Sequence, residues 1–279
     1  MSGRLRVYQS LWATELRRPG HPEAPVEQRF DAARDYGYDG MAIDLGAMDL
    51  ETARGLVPNY ARTGLGGLLT AFPRSIEELR PALHLAKDIG SPFVVVVGQV
   101  MPVQVSGMIP VVREWLRVAS EEQVPIQFET HRASITNDLF STLQLIDAVP
   151  EMRLAADLSH YVVDREPMLP LEAELRAQFS RILARSDSFQ GRVATRCQVQ
   201  VSTRFAQHRP WLDLFLDFWR EGFRHWKTRA APGSDCIFLC ELGPRPYAIT
   251  GADDEELSDR TLDALMLRSE VEAIWRDIT

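Results

Sequence analysis

Eight short apolar runs recur along the chain: Leu5 to Trp12, Gly40 to Leu45, Gly67 to Phe72, Phe93 to Val97, Ile126 to Glu129, Leu154 to Leu158, Val193 to Val201 and Ile237 to Glu241. Their length and aliphatic content predict buried strands. Between them, apolar residues return at helical spacing over Val26 to Tyr36, Leu50 to Leu56, Ser75 to Ile89, Val111 to Glu122, Asn137 to Ala148, Leu169 to Ala184 and Trp211 to Arg229, and a last helix is expected over Glu255 to Ile278. Ser75 and Glu78 have the spacing of a capping box, and Gly90 stands where that helix must stop. Strands alternating with helices predict a parallel sheet, and eight such units close an α/β barrel. The expected fold is therefore a single (β/α)8 TIM barrel spanning residues 1–279. An open doubly wound sheet would place a glycine-rich phosphate loop after its first strand. Trp12-Ala13-Thr14-Glu15 follows instead, and Gly64-Leu65-Gly66-Gly67 precedes a strand and reads as a turn.

With 279 residues, 45% of them hydrophobic, the chain can bury a large core. A formal charge of −8 and the absence of a basic stripe argue against nucleic acid and anionic membrane as partners, which leaves a small-molecule substrate. Arginine carries nearly all the positive charge, since Lys87 and Lys227 are the only lysines. Met1 to Arg6 runs into the first strand without a secretory leader, and no apolar run approaches the ~18 residues of a membrane span, so a cytoplasmic location is expected. Cys197 is isolated, and Cys236 and Cys240 share one strand face, a pattern of free thiols rather than of disulfides or zinc. Trp211, Phe215, Phe218 and Trp219 lie along one helix and suit either core packing or the contact of a homo-oligomer.

Three of the apolar runs end in an acid. Phe128-Glu129-Thr130-His131-Arg132, Asp157-Leu158-Ser159-His160-Tyr161 and Glu241-Leu242-Gly243-Pro244 each begin where a strand finishes, at the mouth where parallel α/β folds assemble their sites. Any one such acid is ordinarily a helix cap or a loop residue; three in the same position suggest a shared site. Gln127 with Glu129, Ala155 with Asp157 and Leu239 with Glu241 share strand faces, so the three carboxylates converge if those faces point inward. Close, uncompensated acids repel, and an oxygen-ligated divalent cation, magnesium or manganese, would relieve the repulsion. His131 and His160 lie beside the acids, whereas His21, His84 and His225 suit surface or packing roles, and His208 falls in a loop after the seventh strand, within reach of the site if that loop folds inward. Asp44 ends the second strand and fits a helix cap as well as a mouth residue. Ser159 has no glycine-flanked elbow, so a serine hydrolase is not expected.

These motifs resemble the xylose isomerase-like barrels, which include sugar isomerases, ketose 3-epimerases and the endonuclease IV branch. The likeness spans nearly the whole chain and rests on Glu129-Thr130-His131, Asp157-Leu158-Ser159-His160 and Glu241-Leu242-Gly243-Pro244, with Leu11-Trp12-Ala13 as weaker support. It implies that Glu129, Asp157 and Glu241 are metal ligands, that Glu129, Glu241 and His160 are catalytic, and that His131, Arg132 and Arg196 contact substrate; Trp12, at the end of the first strand, suits an apolar wall for a sugar ring as well as plain packing. The implied activity is a sugar isomerase or epimerase of carbohydrate metabolism, moving protons on a small polyhydroxylated or hydroxy-carbonyl metabolite. The endonuclease branch is set aside, because its additional histidines are missing from Thr70-Ala71-Phe72-Pro73 and Val97-Gly98-Gln99.

One position departs from the resemblance. Where a Val-His-x-Arg pattern is expected in the seventh strand, the reading Val193-Ala194-Thr195-Arg196 has alanine for the histidine ligand. Two outcomes stay open at this point. Either three carboxylates and water hold manganese or magnesium, or the metal is absent, with Arg196 neutralising the acids in a dehydratase- or cyclase-type enzyme or a non-catalytic ligand-binding relative.

Overall fold

In the computed structural model, which describes residues 3–16, 18 and 20–278, eight strands close into a barrel in chain order. They are β1 (Leu5–Ser10), β2 (Gly40–Asp44), β3 (Gly66–Ala71), β4 (Val94–Val96), β5 (Ile126–Glu129), β6 (Leu154–Ala156), β7 (Ser186–Gln190) and β8 (Cys236–Cys240). Every neighbouring pair is parallel, and β8 returns to β1 with Leu5 opposite Cys236. The single-barrel expectation is met. Met1 and Ser2, read above as the start of the chain, lie outside the described residues.

Strand alternation divides the apolar residues into two cores. Tyr8, Ala42, Leu68, Val95, Ala155, Ile237 and Leu239 fill the barrel interior. The Tyr8 ring lies against Gly40 and Gly66, where any Cβ would collide with it, so glycine is required at both positions. Ser188 of β7 donates to the Gln127 amide oxygen of β5 at 2.6 Å, and because these strands are not neighbours the bond crosses the interior. The opposite strand faces meet the helices α1 (Val26–Asp35), α2 (Leu50–Arg54), α3 (Val57–Thr63), α4 (Leu79–Asp88), α5 (Val105–Glu121), α6 (Leu139–Ala148), α7 (Leu158–Arg165), α8 (Ala173–Arg185), α9 (Arg209–Arg229) and α10 (Arg260–Asp277). Phe30, Leu83, Trp115, Leu145, Phe179 and Phe215 are among the fully buried anchors of this outer core. Phe215, Phe218 and Trp219 of α9 are buried here, which settles them as packing residues. Among the described residues no helix is long and apolar enough to cross a membrane.

Among the helices, Val57–Thr63 has no counterpart in the sequence reading, and α4 starts at Leu79 with Glu78 at its N-cap and no side-chain cap, so the Ser75 and Glu78 capping box does not cap it. Three strands also differ from the sequence reading. β1 ends at Ser10, and Trp12 belongs to a 3-10 turn, Trp12–Thr14. β6 ends at Ala156, and the residues read as its continuation form α7, with Asp157 as N-cap accepting the Ser159 N–H at 2.9 Å.

The third difference is the largest. The seventh strand is Ser186–Gln190, not Val193 to Val201. Its first polar residues are paired: Ser186 donates to Ile182 O at 2.9 Å, and Asp187 is held by Arg153 at 2.7 Å and Arg229 at 2.9 Å. Asp187 is also the extra residue in the β6–β7 ladder, since Leu154 faces Ser186 and Ala155 faces Ser188. Tertiary partners thus make a strand of a segment whose hydrophobicity is too low to announce one. The apolar Val193 to Val201 run is a loop, buried at both ends and exposed at Cys197 and Gln198, and closed by Val201 N–H to Val193 O at 2.9 Å.

Candidate active site

The carboxylates of Glu129, Asp157 and Glu241 converge at the C-terminal mouth of the barrel, with one oxygen of each within 4.8 Å of the others. Glu129 closes β5, Asp157 follows β6 as the cap of α7, and Glu241 directly follows β8. A cavity of about 220 Å³ opens onto them, walled by Trp12, Phe72 and Tyr247 and floored by Glu129, Arg192, Glu241 and Asp44. It is smaller than the ~300–1,000 Å³ typical of drug-sized sites and suits a compact polar metabolite. A larger cavity of about 620 Å³ lies between β1, α1 and α10, lined by Gln9, Arg29, Tyr38 and Arg260. Its walls bring together none of the three mouth acids, so the chemistry is assigned to the smaller space.

Electrostatics follow from burial. Glu129 is held well above the usual carboxylate range by desolvation, then by the charges of Glu241 and Asp157, against an opposing pull from Arg192. Burial likewise raises Glu241, with Arg192 opposing and Asp44 and Asp157 reinforcing. Asp44 is pushed up to about 6 by burial, although the Gly46 N–H donates to it at 2.6 Å. Burial pulls His131 down to about 4 and His160 well below its ordinary value, so both imidazoles are neutral near pH 7. Their rings lie 4.1 Å apart, centroid to centroid.

Arg192, which the sequence reading missed, sits at the centre. Its guanidinium is 2% exposed, and Nη1 lies 2.5 Å from Asp157 Oδ2 and Nη2 3.4 Å from Glu241 Oε2. Nε donates to the Glu241 carbonyl at 3.1 Å. The Tyr247 ring covers it at 4.8 Å, and Tyr247 packs edge-on against Trp12. Burial opposes charge on Arg192, but the surrounding groups, Asp157 and Glu241 foremost, outweigh it and hold the side chain charged.

The corrected strand changes the motif. The end of β7 reads Phe189-Gln190-Gly191-Arg192, so the Val-His-x-Arg spacing places Gln190 at the histidine and Arg192 at the arginine. Ala194 and Arg196 are not those positions. Arg196 lies half-exposed beside Met168 and 3.8 Å from Glu166, away from the carboxylates. The Gln190 amide is buried with neither its oxygen nor its nitrogen hydrogen-bonded. The four-residue spacing was the available signal, but it could be read only with the strand end in the right place.

The other expected residues are distributed unevenly. His131 and Trp12 line the cavity, and His160 is buried beneath it with Nε2 3.5 Å from Asp157 Oδ2. Arg132 is exposed at the rim, 3.5 Å from the Tyr247 hydroxyl. His208 does not reach the cavity: it is buried, its Nδ1 2.8 Å from Ser202 O. Ser159 faces Asp157, donating its hydroxyl at 2.6 Å.

Among the described residues, two groups of side chains come close enough to share a metal ion: Glu129, Asp157 and Glu241, and Glu129, His131 and His160. The first does not fit a divalent cation while Arg192 is in place. Such a cation sits ~2.0–2.6 Å from carboxylate oxygens, and here the guanidinium already contacts two of the three acids. Two positive charges cannot share those oxygens at contact distance without strong repulsion.

This is an α/β barrel with a buried carboxylate and arginine network at its mouth. Among solved structures, the D-allulose 3-epimerase from Methylomonas sp. in complex with D-allulose superposes with a TM-score of 0.61 at 15% identity, covering 98% of this chain and 99% of that one. The probable 3-DHS dehydratase AsbF from Bacillus anthracis, involved in petrobactin synthesis, gives a TM-score of 0.58 at 13% identity over 96% and 98%. A D-psicose 3-epimerase determined in the presence of D-fructose gives 0.58 at 10% over 98% and 99%. At these identities the likeness is one of fold, and it bears out over nearly the whole chain the barrel resemblance read from the motifs. No family model and no curated protein matches the chain.

Proposed function

We propose that this protein is an acid/base enzyme that moves protons on a small hydroxy-carbonyl metabolite of the ketose type. The observation that carries the reading is the pair Glu129 and Glu241, which come from strand ends three apart around the barrel, line one cavity, and each keep a buried carboxylate oxygen, Oε2, outside any hydrogen bond, that of Glu241 facing only the Arg192 charge at 3.4 Å. Buried acceptors left unpaired are costly, and a substrate hydroxyl or acidic C–H placed between them is a natural partner. One glutamate takes the proton from the carbon beside the carbonyl, giving an enediolate; the other returns a proton to the opposite face, which inverts that carbon. His131 and Arg132 stand where they would orient hydroxyls, and Trp12 and Tyr247 would pack on the sugar's apolar face.

The same pair could carry dehydration, with the second glutamate protonating a leaving β-hydroxyl as water. The ion-paired Arg192 favours keeping this reading, because it supplies a positive charge for the enediolate oxygen common to both reactions. The likeness in fold to two epimerases and a dehydratase supports this choice of reactions.

The test is solvent exchange. Incubation with D-allulose, D-fructose and related hydroxy-ketones in D2O, followed by proton NMR, should show loss of the proton beside the carbonyl and either an epimer or an alkene product. Glu129→Gln and Glu241→Gln should each slow exchange by ~10²–10⁴-fold. Ligand binding without any exchange, unaffected by either substitution, would instead describe a binding protein.

A further inference from the structure

The mouth of the barrel contains a cation of its own. Arg192 is the sole guanidinium lining the 220 Å³ cavity among the described residues, and it is buried to 2% exposure. It reaches three groups on two elements: Asp157 at the cap of α7 at 2.5 Å, the Nε2 of His160 within α7 at 3.5 Å, and Glu241 after β8 at 3.4 Å. Those are the oxygens and the imidazole that would otherwise face a bound metal. Its own position is fixed from behind by the Nε bond to the Glu241 carbonyl and from the side by the Tyr247 ring. The strand residue two before it, Gln190, offers an amide where a neutral nitrogen ligand would be expected, and that amide is unpaired.

We infer that the Arg192 guanidinium takes the place of a divalent metal in the Glu129, Asp157 and Glu241 cluster, so that this barrel holds its acids together, and presents positive charge to its ligand, without a metal ion. Three physical points support the substitution. A planar guanidinium carries several N–H donors in a fixed fork, so it can serve two carboxylates at once as a metal does. Its charge is permanent, so the network does not depend on metal supply. A glutamine in place of histidine removes the nitrogen donor that would favour a transition metal. On the reading of the preceding section, Arg192 is also the group facing the oxygen on which charge develops. That catalytic role rests on the proposed reaction; the replacement of the metal does not.

The experiment therefore measures metal binding rather than turnover. Purified full-length protein is titrated with Mn²⁺, following loss of the free-ion electron paramagnetic resonance signal, and its melting temperature is recorded with EDTA and with Mn²⁺. Wild type is expected to bind no stoichiometric Mn²⁺ at millimolar concentration and to melt at the same temperature under both conditions. Arg192→Met should open the cluster, bind one Mn²⁺ per chain and gain a Mn²⁺-dependent rise in melting temperature; adding Asp157→Asn should abolish both. Stoichiometric Mn²⁺ binding by wild type that Asp157→Asn removes would overturn the inference, as would a folded Arg192→Met that binds none. If Arg192→Met does not fold, the wild-type titration still decides the matter. A failed exchange assay with a metal-refractory wild type would refute the proposed reaction and leave the role of Arg192 standing.

Discussion

Asp157→Asn removes the charge on which this network centres. Asp157 is fully buried. One oxygen, Oδ1, accepts the Ser159 N–H at 2.9 Å and its hydroxyl at 2.6 Å, and so caps α7; the other, Oδ2, faces Arg192 Nη1 at 2.5 Å. Asparagine keeps an oxygen for only one of these sides. Whichever way the amide is turned, an N–H is set against an N–H, of Arg192 or of Ser159. With the cap retained, Arg192 keeps only Glu241, at 3.4 Å, as a close counter-charge. Removing one partner of a buried ion pair typically costs about 3–5 kcal/mol, and Asp157→Ala, which also loses the cap, should cost about 1 kcal/mol more. Against a typical total of about 5–15 kcal/mol this is a large fraction. Urea unfolding at neutral pH, followed by tryptophan fluorescence and by circular dichroism, gives the difference. The deficit should be the same in EDTA and in Mn²⁺. A loss below about 1 kcal/mol would show that Arg192 does not lean on Asp157 in solution, and a deficit that appears only with Mn²⁺ would mean that a metal bears the charge.

Asp44→Asn should act in the opposite direction. Its acid is raised to about 6 in the folded protein, so ionising it costs stability as pH climbs from the unfolded value near 4 through 6, and nothing below that window. The asparagine variant should be more stable than wild type at pH 7 by up to about 3 kcal/mol, with the gap closing at pH 4; equal stability at both pH values would contradict it. Gly222 of α9 packs on Phe189 of β7 so closely that a Cβ would enter the ring. Gly222→Ala should destabilise by about 1–2 kcal/mol, overpacking exceeding the helix-propensity gain, and denaturation that shows no loss would refute that packing. Native protein should expose one thiol to Ellman's reagent, Cys197, and release Cys236 and Cys240 only on unfolding; three fast-reacting thiols would contradict the buried β8.

What the sequence determined by itself was whatever depends on local pattern. Apolar runs with aliphatic content located seven of the eight strands, and parity along β5 and β8 put Glu129 and Glu241 on inward faces, because successive side chains on a strand alternate. Asp157 was also placed at the mouth, though as a strand end rather than the cap of α7 that it is, since a cap and a strand terminus differ by a single backbone turn. Tertiary structure alone decided the seventh strand. Asp187 and Ser188 hold it only because Arg153, Arg229 and Gln127 satisfy their polar groups from elsewhere in the chain. That choice moved the motif from Ala194 and Arg196 to Gln190 and Arg192 and brought a buried guanidinium against the acids. Pairing between residues 35 and 49 positions apart, as in Arg192 with Asp157 and with Glu241, leaves no trace in local hydrophobicity. It arises from barrel closure, which sets the strand ends side by side, and from the high cost of leaving buried charges unpaired.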